Sequence, residues 1–197
     1  VEDMTSTEDM TSTEDMATDM TEALDLEDAT PEQRAILEVE QIEAWALDGL
    51  EAPAHVVFTE MGRPHVYAQS RKDLGYVLGF QVARDRYFIM DLQRRLAQGR
   101  ISELLGDAAL ANDVEARLMG MSAVADRVYE NLTDEDVEYF EAYVRGVNAY
   151  IERVREGELP APSELALARF ILGVRNPADV MEPFTVRDVA AMVTVIM

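Results

Sequence analysis

Few residues in this chain could carry chemistry by themselves. There is no cysteine and there are two histidines, His55 and His65. A thiol nucleophile, a disulfide and a Cys-ligated zinc site are therefore excluded. The histidines stand near opposite ends of a short extended stretch and are read as structural. Ser102, Ser122 and Ser163 have no neighbouring base pattern, and the chain lacks a Gly-rich phosphate loop, a His-Glu-x-x-His pair and a Gly-x-Ser-x-Gly elbow. Spacing thus assigns no catalytic residue. Asp85 falls on the apolar line of a predicted helix, where a bare carboxylate would be costly to bury, so it is expected to be either partly exposed or paired. With Arg86, Arg94 and Arg95 it is read as a structural ion network. The Glu-Asp pairs near the N-terminus lack the turn-forming loop that calcium requires, so no metal ligand is assigned.

Length and charge bound the reading. The chain has 197 residues, enough for one large domain, with 48% apolar residues and a net charge of −22. Such a field repels phosphate backbones and argues against a nucleic-acid partner. No apolar run reaches the roughly 20 residues that span a bilayer. The charge is concentrated: residues 1–30 carry −11 with no Lys or Arg, while residues 52–197 carry only −6. The repeated hexads Thr5–Met10 and Thr11–Met16, both TSTEDM, have too little apolar surface to offset chain entropy. Residues 1–29 are therefore predicted to be a disordered acidic linker.

The elements follow from period and punctuation. Thr30-Pro31-Glu32 supplies an N-cap, a proline at N1 and a first-turn acid, which predicts a helix over 31–48 in a segment spanning 30–49. Ala54–Thr59 and His65–Ala68 flank a Gly62-Arg63-Pro64 turn and predict a hairpin. From Asp73 to Gly99 the apolar residues recur at helical spacing. Shorter helices are predicted over 101–105 and 112–128. Thr133 and Asp136 form a capping pair at the head of a long helix, whose seam is Val137, Phe140, Val144, Val147, Ile151 and Val154. Gly146, in mid-helix, predicts a close neighbour. A helix over 163–172, a loop from Pro177 to Pro183 and a last helix from Asp188 complete an α+β chain, mostly helical with one hairpin. That last helix reaches Met197 without a cap, so residues 50–197 are expected to end before the full structural unit.

Ordered motifs add a family. Gly62-Arg63-Pro64-His65-Val66-Tyr67-Ala68 is followed by Asp73-Leu74, Gly79-Phe80 and Ala83-Arg84-Asp85-Arg86. Met90-Asp91, Arg94-Arg95, Gly99-Arg100 and Glu103-Leu104-Leu105-Gly106 follow in register, and later Gly146-Val147-Asn148-Ala149-Tyr150-Ile151 and Glu182-Pro183-Phe184 with Asp188. Over roughly 50–197 this series resembles the α chain of the penicillin acylase family of N-terminal-nucleophile hydrolases. Phe58-Thr59, Arg84, Ile89 and Met181 depart from the pattern, which bears on subfamily and substrate rather than on fold.

The resemblance implies an αββα heterodimer cut from one inactive precursor, a zymogen that processes itself. The catalytic group would be the N-terminal Ser of a separate β chain, so none lies in this chain. The substrate would be an N-acyl compound such as a β-lactam or an acyl-homoserine lactone. Met192, Ile196 and Met197 are expected to face the acyl pocket, with ordinary core packing as the competing reading of the same residues. No cofactor is required for the chemistry, and the ligands of any structural calcium would lie mostly outside this chain. Export to the periplasm or cell envelope is expected, with a membrane tether upstream of Val1 as one form of it. The reading from a different class is a catalytically silent scaffold or binding protein derived from the family.

Overall fold

The computed structural model describes residues 30–165, 173 and 175–196. The predicted linker, most of the 163–172 helix and Met197 lie outside the described residues.

The first helix, α1, is Pro31–Leu37, so the prediction of a helix to residue 48 is corrected. Beyond Leu37 the chain becomes an extended strap. Its apolar residues do not form one seam: Ile42 is 80% exposed, whereas Trp45 packs 6.2 Å from the ring of Phe80. Trp45 is flanked by the guanidiniums of Arg84 and Arg153 at 5.6 and 5.5 Å, and Arg153 also donates to the Ala46 carbonyl. Those side chains hold the strap in place of helical bonding.

The hairpin forms as expected. Strands β1 (His55–Phe58) and β2 (Pro64–Tyr67) pair antiparallel with Val57 opposite His65. Gly62, at φ +71°, turns the chain between them.

Two long helices make the frame. Helix α2 is Arg71–Gln98; Ser70 accepts from the Asp73 N–H at its start, and Gly99 closes its end at φ +62°. At Arg86 the backbone leaves helical values (φ −142°, ψ 19°) and α2 bends. Short α3 (Ser102–Leu105) and a 3₁₀ turn (Gly106–Ala109) lead to α4 (Leu110–Leu118) and α5 (Met121–Glu130). The single helix predicted over 112–128 is thus two, parted at Gly120 with φ +69°. Helix α6 is Asp134–Glu156, opened by a reciprocal Thr133–Asp136 capping box and closed by Gly157.

Helices α2 and α6 cross almost backbone to backbone. A Cβ on Gly146 would stand 1.9 Å from the Tyr76 carbonyl oxygen, and one on Gly79 would stand 2.0 Å from that of Tyr143. Glycine is required at both places because no side chain fits. Around the crossing, Phe80, Ala83, Tyr87 and Met90 of α2 meet Val144, Val147, Tyr150 and Ile151 of α6 in one core. A 3₁₀ turn (Pro177–Val180) and an extended lead-in bring the chain to α7 (Val186–Ile196). Helix α7 starts two residues before the predicted Asp188. The reason is a second reciprocal cap: Thr185 accepts from the Asp188 N–H at 3.3 Å, and Asp188 accepts from the Thr185 N–H at 2.7 Å.

Candidate functional site

Helix α7 carries the residues predicted to face a ligand. Its Met192 is half-buried against the main core, beside the partly buried Val186 and Val189. Ala191 and Val195 pack instead with Ala97 and Ala125. Ile196 is the last residue of α7. What fixes the helix is therefore as much a matter for the site as what it presents.

Its mount is a buried cluster of charge. Asp91 is fully buried and accepts from both neighbouring arginines, from Arg94 through one oxygen and from Arg95 Nε at 2.9 Å through the other. Arg94 and Arg95 are themselves 1% and 2% exposed. Arg95 reaches on to Glu103 and to Glu182, the latter at 3.4 Å, and Arg100 bonds Glu182 at 2.8 Å and Glu103 at 2.8 Å. Gln98 donates to Asp188 at 2.6 Å. Buried charges persist where each has several partners, and here α2, the loop after it and the lead-in to α7 supply them to one another.

This corrects the predicted ion network. Arg94 and Arg95 lie in the cluster, but Asp85 and Arg86 do not. Both are exposed, Arg86 at the bend in α2 and Asp85 just before it, where Asp85 accepts a bond from Gln81 at 3.0 Å. The helix turns them away from the face that carries Asp91. Asp91, Glu103, Glu182 and Asp188 stand in the ordered motifs, but the sequence reading gives them no part in the ion network. Asp91 was within reach of that reading, because it stands three and four residues before Arg94 and Arg95. Glu182 was not, being brought in from more than 80 residues away.

The lead-in itself lies in no sheet, yet its carbonyls are occupied in turn. Arg95 donates to Val180 at 3.4 Å, Arg155 to Met181 at 2.6 Å, Tyr87 to Glu182 at 3.4 Å and Arg94 to Pro183 at 2.9 Å. Asn148 then holds Phe184 at two points, accepting from its N–H at 2.7 Å and donating to its carbonyl at 3.0 Å. The Arg94 guanidinium stands 4.1 Å over the Phe184 ring.

Electrostatics follow from these contacts. Burial pushes the Glu182 carboxyl up, but hydrogen bonding to Arg100 and the charges of Arg95, Arg100 and Arg94 outweigh it, leaving the pKa below the usual value. Burial likewise opposes ionisation of Asp113, yet the Ser102 hydroxyl and the N–H groups of Ser102 and Ile101 prevail and lower it. Ser102 is thereby engaged with a helix-capping carboxylate rather than a base. Burial pushes the Tyr143 phenol up to about 12.

Elsewhere, a cleft of about 480 Å³ opens between the strap, β1 and α2, with Trp45, His55, Phe80 and Arg84 among its walls and none of the α7 residues. Burial lowers the pKa of His55, so it stands there neutral near pH 7. His65 is exposed on β2. Among the described residues no group of three acids or histidines could hold a metal ion, and no helix is long and apolar enough to cross a membrane.

Comparison with known proteins gives the family of this helical frame with its one hairpin. The penicillin amidase family model matches residues 53–197, and the chain belongs to that family. The chain is similar to the penicillin acylase 2 proenzyme of Pseudomonas sp. (strain SE83), 42% identical over 106 residues, which cover 54% of this chain and 14% of that protein. It is also similar to the acyl-homoserine lactone acylase QuiP of Pseudomonas putida, 38% identical over 115 residues, which cover 58% of this chain and 14% of the relative. Among solved structures, a thermostable penicillin G acylase from Alcaligenes faecalis matches with a TM-score of 0.58 and 31% identity, over 71% of this chain and 69% of that one. The match spans about one-seventh of the length of these curated relatives.

Proposed function

We propose that this chain is the α subunit of a self-processed acylase that hydrolyses the amide bond of N-acyl compounds, β-lactams or acyl-homoserine lactones among them. The observation that carries the proposal is a contrast in length. The matched region is only 14% of a curated relative that is a proenzyme, whereas it takes up 69% of the solved acylase chain. A long precursor cut into unequal chains accounts for both.

In this reading a β chain from the same precursor supplies the nucleophile. Its N-terminal Ser hydroxyl attacks the amide carbonyl, and its own α-amine, with an ordinary pKa near 8, takes the proton through water. Backbone and Asn donors of the β chain hold the oxyanion, the amine leaves, and water releases the acyl group. The present chain gives the acyl pocket a wall, to which Met192 and Ile196 of α7 and the following Met197 contribute. Structural calcium, held mostly by residues outside this chain, and export to the periplasm or cell envelope with a tether before Val1 belong to the same proposal.

The test is made on the whole gene product. Mass spectrometry should find a second chain beginning with Ser, and the purified pair should hydrolyse a series of N-acyl amides. Replacing that Ser by Ala should abolish both cleavage and turnover. An uncut product without amidase activity would favour the silent scaffold and overturn the proposal.

A further inference from the structure

The two-point hold of Asn148 on Phe184 is the feature whose consequence reaches furthest. Asn148 lies on α6 two residues beyond Gly146, about half a helical turn past the α2–α6 crossing. Its amide meets the Phe184 backbone as a neighbouring β-strand would, with one bond accepted at 2.7 Å and one donated at 3.0 Å. Among the described residues it is the last outside hydrogen bond on the lead-in before Thr185 and Asp188 cap α7 reciprocally, Asp188 also accepting through its other oxygen from Gln98 of α2. The bonds before it, from Arg95, Arg155, Tyr87 and Arg94, each reach a single carbonyl oxygen. A single bond allows the chain to pivot, whereas two antiparallel bonds fix the direction of the peptide as well as its place.

A helix is stiff, so an error of direction at its start grows along it. Met192 lies six residues beyond Val186, about 9 Å along the axis. A tilt of ~10° at the start would move it about 1.5 Å, and a misplacement near 1 Å is enough to cost a reaction about 100-fold. We infer that Asn148 is a positioning residue: by fixing the direction in which α7 leaves Phe184, it decides which acyl groups the enzyme accepts. The inference rests on the reading of α7 as a wall of the acyl pocket.

The experiment uses the processed enzyme and compares kcat/KM across a series of straight acyl amides. Asn148→Ala removes both bonds. Asn148→Asp keeps the volume and the bond from the Phe184 N–H but sets a carboxylate oxygen against the Phe184 carbonyl. Both variants are expected to change the ratio of long-chain to short-chain kcat/KM by about tenfold at equal folded fraction. Should the Ala variant fail to fold, the Asp variant decides. A ratio within twofold of wild type, with all substrates lowered alike, would show Asn148 to be structural only and would overturn the inference. Met192→Ala separates this from the reading beneath it. If that variant shifts the ratio and the Asn148 variants do not, the positioning role alone fails. If Met192→Ala leaves the ratio flat, the pocket-wall reading fails and the inference falls with it.

Discussion

Asp91 holds two buried arginines at once, one through each carboxylate oxygen. When Asp91 is removed Arg94 keeps the Pro183 carbonyl, Arg95 keeps Glu103, and the half-exposed Glu182 stands 3.8 and 3.4 Å from the two, but the buried acid between them is gone. Breaking a buried pair costs about 3–5 kcal/mol, because the stranded charge has lost its water as well as its partner. Asp91→Ala is expected to lower stability by that amount in urea denaturation. Glu182 makes the pH-dependent part. Its pKa lies below the usual value in the fold, while the unfolded chain titrates near 4.3. Its contribution is therefore whole above about pH 4.3 and is lost as pH falls through the folded value, where the folded carboxylate at last takes up the proton. Glu182→Gln should flatten the acid side of a plot of Tm against pH, and an unchanged slope would show that other carboxylates carry it.

Helix α6 is built for contact rather than for helicity. Gly146 lowers helix propensity by about 1 kcal/mol relative to Ala, yet a Cβ there would meet the Tyr76 carbonyl at 1.9 Å. Gly146→Ala thus gains a little local stability and forces the two longest helices apart. The atom it meets is backbone and cannot rotate aside, so the overlap prevails. Loss of about 2–3 kcal/mol is expected, and a variant as stable as wild type would mean that the helices separate freely. The same close crossing brings Asn148 and Arg155 of α6 within reach of the lead-in to α7. Helix α7 in turn is held by side chains of both long helices, Gln98 of α2 on Asp188 of its cap and Asn148 of α6 on Phe184 just before it.

For the molecule as a whole, charge and fold are separable. Half of the net charge of −22 lies in residues 1–30. Deleting residues 1–29 is expected to leave Tm and the kcat/KM of the processed enzyme unchanged, because a segment so poor in apolar side chains has little to bury. A loss above about 1 kcal/mol would show that the segment docks on the body. The cluster around Asp91 is insulated from that charge by burial, so its stability should respond weakly to salt.

Composition and periodicity by themselves determined the helical frame, the hairpin, the capping box at Thr133 and the close approach at Gly146. Each of these is local: a cap lies within four residues, a seam repeats every three or four, and a glycine in mid-helix marks its own contact. The ordered motifs also determined the family. The strap after Leu37 was illegible because Trp45 is bound by Phe80, Arg84 and Arg153, and long-range contacts of that kind override a helical start. The break at Gly120 was a local signal passed over. The ion cluster was half legible, since Asp91, Arg94 and Arg95 share one helix face. Asp85 and Arg86 stand apart from the cluster because six residues at helical pitch already set Asp85 about 120° round α2 from Asp91, and both are exposed. Glu182 and the hold of Asn148 on Phe184 were decided only by tertiary structure, since no local rule links residues 36 or more positions apart until helices packed by their glycines bring them together.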